Sequence, residues 1–140
     1  VIDIPVKPVE EDLLLTYGTT GITLIAPDTY ISDNDSSICV LFRTENSDIL
    51  ITGDSGELGE TLLRHDHELP KLELLIAAHH GSSSSTGEEL LAATDPETVF
   101  ISVDENNRYG HPSDKLLARL EKIGCRVYRT DLHGTLIFWR

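Results

Sequence analysis

Basic residues are scarce in this sequence: 11 Lys and Arg stand against 24 Asp and Glu, and the formal net charge is −13. Nonspecific affinity for nucleic acids comes mainly from Lys and Arg side chains that neutralise phosphates. The composition therefore argues against broad, unassisted binding of this chain to a phosphate backbone.

The sequence also has no methionine and no long apolar run. The absence of Met from 140 residues predicts a piece of a larger translated protein. No apolar run approaches the roughly 20 residues of a membrane helix, and no basic segment followed by an apolar one opens the chain, so we expect a soluble segment. With 39% hydrophobic and 25% charged residues, we expect residues 1–140 to form a single globular domain around one core.

Only two cysteines are present, Cys39 and Cys125, far apart in apolar stretches. Neither has a partner at metal-binding spacing, which favours two buried thiols on strands. A disulfide would need their Cα atoms within about 7 Å, and the sequence leaves that alternative open.

Hydrophobic patterning divides the chain into two parts. After an irregular lead-in at 1–18, three short β-rich runs separated by turn residues predict sequential antiparallel strands at 21–27, 36–45 and 48–54. Strand and helix patterns then alternate, which predicts an α/β layer with a mixed sheet. The predicted elements are a helix after Gly56, a buried strand at 72–78, a helix at 87–94, a strand at 98–103, a helix at 113–124 with Ser113 as N-cap and Gly124 as C-cap, and a closing hairpin of strands 125–130 and 134–139.

Polar side chains follow three of these strands: Asp54 follows the first, His79 and His80 the second, and His111 the third. In layered α/β proteins the loops beyond the carboxyl ends of strands meet at one rim, where ligands usually bind. Carboxylate and imidazole are suitable ligands for zinc, manganese or iron, and a carboxylate can bridge two ions. The sequence therefore predicts one site built from three strand ends.

Each of these residues also has a purely structural interpretation. Asp54 is typical of a turn or N-cap residue, and His111 before Pro112 is typical of a helix entry. The pair His79 and His80 is harder to explain in this way, because two imidazoles at the end of an apolar strand have no obvious packing purpose. The coincidence of all three features at matching strand ends favours the functional interpretation.

Two other patterns are weaker. Residues 53–56, Gly-Asp-Ser-Gly, match the nucleophile turn of trypsin-like proteases, but those enzymes place the catalytic His earlier in the chain and every histidine here follows Ser55. His65 and His67 form an H-x-H pattern that is ordinary on a solvated, charged helix end. Neither pattern predicts a site.

Five segments together resemble consecutive signatures of one group of metallo-β-lactamase-fold hydrolases. They are NDSSICVL at 34–41, ILITGD at 49–54, HHGSSSS at 79–85, NNRYGHP at 106–112 and YRTDLHGTLIF at 128–138. The group includes the C-terminal domain of the DNA-internalisation competence protein ComEC. The likeness extends over residues 20–138, and motif order, spacing and strand context all agree with it.

This resemblance implies a hydrolase that uses two divalent ions, zinc or manganese, on phosphodiester or related bonds. Asp54 would be the catalytic aspartate that bridges both ions, and His111 would be the late histidine ligand of one of them. Two adjacent ions can activate a water and stabilise both the entering and the leaving oxygens.

The resemblance also implies roles for the loop after the second of these strands. His80 would face the scissile phosphate as general acid or oxyanion donor, and His79 is the weaker candidate of the pair. Ser82 and Ser85, together with the backbone of Gly81, would contact phosphate oxygens.

One departure from the family pattern limits these expectations. The fold is an αββα sandwich of two αβ halves, and its most diagnostic element is an H-x-H-x-D-H-like loop in the first half. That motif does not occur here, and His65-Asp66-His67 does not replace it because it follows the aspartate strand. The chain therefore resembles the C-terminal half of such a domain.

Several expectations follow for the isolated chain and for the longer protein. Without the first half we expect weak metal binding, little or no hydrolysis, and self-association through an uncovered apolar sheet face. The longer protein would be a metal-dependent nuclease or phosphodiesterase with DNA as substrate, the chain being a soluble domain beside the membrane channel portion of a bacterial cell-membrane protein for DNA uptake. Hydrolysis of a small phosphoester or another ester, and a non-catalytic interaction module, are the alternatives.

Overall fold

The computed structural model describes residues 8–27 and 29–139 as one seven-stranded sheet with helices. The strands follow one another across the sheet in chain order. They are β1 Leu13–Tyr17, β2 Thr20–Ile25, β3 Cys39–Arg43, β4 Asp48–Ile51, β5 Leu74–Ile76, β6 Thr98–Ile101 and β7 Arg126–Arg129. Strands β1 to β4 form an antiparallel meander, and β4 to β7 are parallel.

Helices cross between the parallel strands, as the alternating pattern predicted. They are α1 Glu57–Asp66, α2 Glu88–Thr94 and α3 Asp114–Ile123, with a short 3₁₀ turn at Ala78–Gly81 before α2. The predicted caps of α3 are confirmed: the hydroxyl of Ser113 accepts the N–H of Leu116, and Gly124 closes the helix at φ 74°. Strand and helix order therefore confirms the mixed α/β sheet.

The hydrophobic core lies between the sheet and these three helices. Leu41, Leu50, Leu75 and Val99 form one row across β3 to β6, and each is at most 7% exposed. Leu63, Leu90, Leu91, Leu116 and Leu120 are the buried helix residues of the same core. Alternate strand residues point to opposite faces, so the residues between those of the row belong to the other side of the sheet.

That other side of the sheet carries a second apolar row. Its members are paired in register from β2 to β7: Leu24, Val40, Ile51, Ile76, Phe100 and Tyr128. Unlike the core row, all six are half-buried or exposed, with Ile51 and Tyr128 each 39% exposed. We call these six residues the open sheet face. A C-terminal segment covers part of it, because the ring of Phe138 lies 6.4 Å from that of Phe100.

The prediction of a closing hairpin is wrong. After β7 the chain forms a short helix, α4 Thr130–His133, and residues 134–139 form no strand. The hydroxyl of Thr130 accepts the N–H of Val103 and donates to its carbonyl, both at 2.7 Å, and the carboxylate of Asp131 pairs with Arg129. The bonds of Thr130 to Val103, 27 residues earlier in the chain, and the local pair of Asp131 with Arg129 end the strand in a helical turn instead of a hairpin turn.

The prediction of an irregular lead-in at 1–18 is also wrong where it can be compared; its first seven residues lie outside the described residues. Residues 13–17 form β1, which pairs with β2 in register from Leu13 opposite Leu24 to Tyr17 opposite Thr20. Gly18, at φ 59°, allows the two-residue turn between them. Three consecutive leucines show no period-two alternation, which is why the strand was missed.

Both cysteines are free thiols. Cys39 begins β3 and is buried, as predicted, and burial raises the pKa of its thiol to about 12. Cys125 is half-buried and precedes β7 by one residue, so it does not lie on a strand.

Candidate functional site

Three loops meet at one edge of the sheet. Because β4, β5 and β6 are parallel, their carboxyl ends lie side by side, and the loops that carry Asp54, His79 and His111 leave from that edge. The first two loops are joined directly, since the N–H of His79 donates to the carbonyl of Gly53 at 3.0 Å. The fold thus places one carboxylate and three imidazoles within one loop cluster.

His79 lies at the centre of this cluster. Its ring centroid is 5.8 Å from that of His111 and 6.5 Å from that of His80. His79 and Asp54 line one cavity of about 430 Å³, whereas His80 and His111 line a neighbouring one of about 390 Å³. The side chain judged the weaker candidate from sequence is therefore the one that contacts both sides of the site.

The two histidines stand in an unusual backbone conformation. His79 has φ 48° and ψ 46°, and His80 has φ 54° and ψ 21°, so two successive non-glycine residues are left-handed. Such conformations cost energy and are most often found at functional sites. The Nδ1 of His80 donates to the carbonyl of Ser102 at 2.7 Å, which fixes the ring and leaves Nε2 as the nitrogen that can exchange a proton.

The His111 loop is held by an asparagine and by the loop of the histidine pair. Asn107 accepts the N–H of His111 at 2.9 Å through Oδ1 and donates to its carbonyl at 2.8 Å through Nδ2. The N–H of Ser113 donates to the carbonyl of Gly81 at 2.9 Å. The exposed ring of Tyr109 stacks on the imidazole of His111, with 6.0 Å between centroids.

The environment of His111 favours a neutral imidazole. Burial lowers the pKa of His111, and the neighbouring imidazoles of His79 and His80 lower it further. Its Nδ1 is buried and has no hydrogen-bond partner among the described residues. A neutral ring with an unpartnered nitrogen is the form in which histidine binds a metal.

The donor set of the described residues is incomplete for a metal site. The carboxylate of Asp54 and the unpartnered nitrogen of His111 fit zinc, manganese or iron in chemistry. Within 8–27 and 29–139, however, no group of three or more His, Cys, Asp or Glu side chains is arranged to hold an ion. The residues present therefore fit part of a metal centre.

Ser82 and Ser85 of the loop after the histidines are buried, whereas Ser83 and Ser84 between them are exposed. Ser85 is fully buried, and its hydroxyl donates to the carbonyl of Ala78 at 3.0 Å and to that of Ser82 at 3.3 Å. The hydroxyl of Ser82 shares a hydrogen bond with that of Ser84 at 3.1 Å. Direct contact of Ser85 with a phosphate does not fit this burial, because its hydroxyl is used within the loop.

Sequence reasoning missed side chains that hydrogen-bond to the loops and residues of the site. Asp35 accepts the N–H groups of Gly56 and Gly59, each at 3.1 Å, and so caps α1 directly after Asp54. Asn34 Nδ2 lies 3.5 Å from Nδ1 of His79. Both belong to the segment 34–41, whose resemblance to the family implied no role for either residue. Glu60 and Arg119 hold the histidine loop itself through bonds to its backbone.

The chain is similar in sequence to proteins that include competence proteins. The chain is 40% identical over 111 residues to "ComE operon protein 3" of Bacillus subtilis, covering 79% of this chain and 14% of that protein. It is 33% identical over 110 residues to "Competence protein ComA" of Neisseria gonorrhoeae, and 30% identical over 103 residues to "Recombination protein 2" of Haemophilus influenzae. These matches cover 77% and 74% of this chain, and 16% and 13% of the relatives. No model of a known protein family matches the chain.

Solved structures confirm the fold. The chain aligns with CmlA, a diiron beta-hydroxylase from Streptomyces venezuelae, at a TM-score of 0.54 and 13% identity, and with a mutant of that enzyme at 0.57 and 12%. The alignments cover 85% of this chain and 32% and 31% of those chains. CmlA has the metallo-β-lactamase fold, so the predicted fold class is confirmed. None of the described helices is long and apolar enough to cross a membrane.

Proposed function

We propose, on the premise that this chain is homologous to one segment of the ComEC family of competence proteins, that it forms the second half of a metal-dependent phosphodiesterase domain acting on DNA. The chain spans about one seventh of the first relative, so the activity belongs to the longer protein. The observation that carries the proposal is the meeting of Asp54, His79 and His111 at one edge of the sheet.

In this proposal the chain supplies part of a two-metal centre. Asp54 would be the ligand shared by the two divalent ions, zinc or manganese, and His111, whose pKa burial lowers, would bind one of them. The ions, when bound, supply an activated water and stabilise negative charge at the phosphate.

The histidine pair supplies the proton chemistry. The bond from Nδ1 of His80 to the carbonyl of Ser102 orients the exposed ring, so that its Nε2 can protonate a leaving oxygen. His79, between Asp54 and His111, would orient the phosphate. Ser82 remains a candidate for contact with a phosphate oxygen, whereas Ser85 holds the loop from inside.

We propose that the first half of the domain supplies the remaining ligands and covers the open sheet face. The incomplete donor set and the half-exposed apolar row from Leu24 to Tyr128 support this arrangement. The isolated chain would then bind metal weakly, hydrolyse little, and self-associate. In the longer protein the domain would lie beside a membrane channel portion of a bacterial cell-membrane protein.

The charge of −13 is compatible with a DNA substrate under one condition. Bound divalent ions are the largest local charges of such a site, and they offset nearby carboxylates. Basic surface on the remainder of the protein would have to supply the other contacts to the phosphate backbone, because this chain alone is a poor DNA binder.

The test uses the longer protein that carries this segment, with manganese or zinc and a panel of linear DNA, a small phosphodiester and a carboxylic ester. Asp54→Ala, His80→Ala and His111→Ala should each abolish DNA cleavage, and His65→Ala, an exposed histidine on α1, should not. Normal cleavage by the first three variants would refute the proposal. Turnover of only the small ester would instead favour an esterase of the same fold.

A non-catalytic interaction module is the second candidate. The observation in its favour is the lack of a three-ligand group within the described residues. This candidate predicts that the longer protein cleaves no member of the substrate panel with either metal, and that Asp54→Ala leaves DNA uptake by the cell unchanged.

A further inference from the structure

The loop that carries the two histidines is held by side chains from helices on either side. We call residues 78–87 the histidine–serine loop. Glu60, in the first turn of α1, is 2% exposed, and its Oε1 accepts the N–H of Thr86 at 2.5 Å. Its Oε2 accepts the N–H of Gly87 at 2.8 Å. One buried carboxylate therefore holds two successive backbone donors at the end of the loop.

A buried carboxylate at this position needs an explanation, because desolvating a charge is costly unless its oxygens are paired. Gly87 is the N-cap residue of α2 and has no side chain with which to cap the helix. Glu60, on the neighbouring helix α1, caps α2 instead. Its carboxylate also faces the positive end of the α2 dipole. The same bond fixes Thr86 in a left-handed conformation, φ 52°.

Ala78, the residue before His79, links Thr86 to the histidines through hydrogen bonds. The hydroxyl of Thr86 accepts the N–H of Ala78 at 3.0 Å, and the hydroxyl of Ser85 donates to the carbonyl of Ala78, also at 3.0 Å. Both backbone groups of the residue before His79 are thus tied to the end of the loop that Glu60 holds. Thr86 and Ser85 are both fully buried, so these bonds are shielded from water.

Arg119 of α3 holds the same loop from the other side. Its Nη1 donates to the carbonyl of Ser83 at 3.2 Å, and its Nη2 donates to the carbonyl of Ser85 at 2.7 Å. An acidic and a basic side chain thus bind the loop backbone through its N–H groups and its carbonyls, respectively. Neither side chain lines either of the two cavities that hold the histidines and Asp54.

We propose that Glu60 and Arg119 are positioning residues that set the backbone conformation of His79 and His80. They act through Thr86, Ser85 and Ala78 without touching the substrate. The catalytic meaning of this role rests on the proposed function, but the structural relationship does not. The strained histidine pair is the feature that requires such support, since left-handed conformations persist only where the surroundings fix them.

Hydrogen exchange of backbone amides tests this inference on the 140-residue chain. At pH 8, where the folded chain ionises Glu60, Glu60→Gln keeps the side-chain volume but replaces one acceptor oxygen by an NH₂ group, which faces a backbone donor. The amides to follow are those of His79 and Ser82, which donate to Gly53 and His79 and which Glu60 does not touch. We expect them to exchange about ten-fold faster, as for loss of one hydrogen bond to a carboxylate.

The matched controls are on the same two helices. Glu57→Gln changes an exposed glutamate one turn before Glu60, and Lys115→Met changes an exposed lysine one turn before Arg119. These should leave exchange unchanged, while Arg119→Met should match Glu60→Gln and Arg119→Lys should restore part of the protection. Unchanged exchange at His79 and Ser82 in Glu60→Gln, or equal acceleration of the core amides of β5 and β6, would overturn the inference.

A second measurement separates this inference from the proposed function. In the longer protein, Glu60→Gln should lower kcat for DNA cleavage about ten-fold with KM unchanged, the loss expected for one hydrogen bond to a carboxylate. A protein without any hydrolytic activity would defeat the proposed function, and amide exchange would still decide the positioning role. An active protein in which Glu60→Gln changes KM alone would defeat the positioning role.

Discussion

Gly81 and Pro112 are in such close contact that no other residue fits at position 81. A Cβ atom on Gly81 would lie 2.6 Å from Cβ of Pro112 and 3.1 Å from Cδ2 of Leu116, and Gly81 is left-handed at φ 87°. Through this contact the loop of His79 and His80 packs closely against the loop of His111. The spacing of the three imidazoles therefore depends on the absence of a side chain at Gly81.

Gly81→Ala should destabilise the chain and move the two loops apart. Overpacking alone costs about 1–3 kcal/mol, and the left-handed backbone adds to it. Gly124→Ala is the matched control, because Gly124 is also left-handed, φ 74°, but has nothing within 4 Å of the added carbon. Urea unfolding should show a clearly larger loss for Gly81→Ala, and equal losses would mean that the contact with Pro112 is not tight in solution.

Glu60 should make the stability of the chain depend on pH in a particular direction. Burial raises its pKa from 4.5 to about 7, against the opposing effects of the N–H groups of Gly87 and Thr86 and of Arg119; Glu57 raises it slightly. Between pH 4.5 and 7 the unfolded chain ionises this carboxyl while the folded one keeps its proton. Its contribution to stability is therefore full below pH 4.5 and is lost as pH rises through 7.

The measurement is the free energy of unfolding of the chain and of Glu60→Gln between pH 4.5 and 8. The variant lacks this titration but keeps every other one, so the difference between the two proteins isolates Glu60. As pH falls from 8 to 5, the free energy of unfolding of the unsubstituted chain should rise relative to that of the variant. A difference that is constant over this range, or that changes in the opposite direction, would contradict the assigned shift.

The two cysteines should differ in reactivity. Burial raises the pKa of Cys39 to about 12, with a further contribution from the negative charge of Glu60, and burial also raises the pKa of the half-exposed Cys125. Since the thiolate is the reactive form, Cys39 should be inert in the folded chain and Cys125 should react slowly. Labelling with a disulfide reagent, located by mass spectrometry, should give Cys125 first and Cys39 only in urea; labelling of Cys39 first would contradict the burial.

The open sheet face should control self-association. Ile51 lies in the middle of that row at 39% exposure, and Leu58 on α1 is 51% exposed but lies on the helix side. Ile51→Lys should shift the chain toward monomer in sedimentation velocity, because a charge would have to be buried in the contact. Leu58→Lys should leave association unchanged. A monomeric unsubstituted chain, or an equal effect of both changes, would refute association through this face.

Sequence patterns were most informative where they are local. The period of α3, its serine N-cap and its glycine C-cap are properties of one segment, and they predicted that helix correctly. The strand at Leu13–Tyr17 contains three consecutive leucines without period-two alternation, although its partner Thr20–Ile25 follows after a two-residue turn. The helix after Arg129 depends on hydrogen bonds between Thr130 and the distant Val103, which no local pattern reveals. Both segments were therefore predicted wrongly.

The same distinction holds for the site. Histidines and an aspartate at strand ends are visible in the sequence because the residue types are unusual there. Glu60 and Arg119 look like ordinary surface charges of amphipathic helices, and only the fold shows that one is buried and that both bind the histidine–serine loop. A charged residue one turn before the buried Leu63 was the only available signal.

Asp35 should hold the turn that carries Asp54. Its carboxylate accepts the N–H groups of Gly56 and Gly59, at the N-cap and third positions of α1, 21 and 24 residues away in the chain. Asp35→Ala should cost about 0.5–2 kcal/mol, as for loss of an N-cap, and should accelerate exchange of the Gly59 amide. Asp33→Ala is the control, since the exposed Asp33 accepts only the hydroxyl of Tyr30 among the bonds of the described residues.

The same cap should matter for metal binding, because Asp54 directly precedes the turn that Asp35 holds. Asp35→Ala should therefore also weaken binding of manganese by the longer protein. Unchanged binding together with unchanged exchange at Gly59 would show that the cap does not position the aspartate.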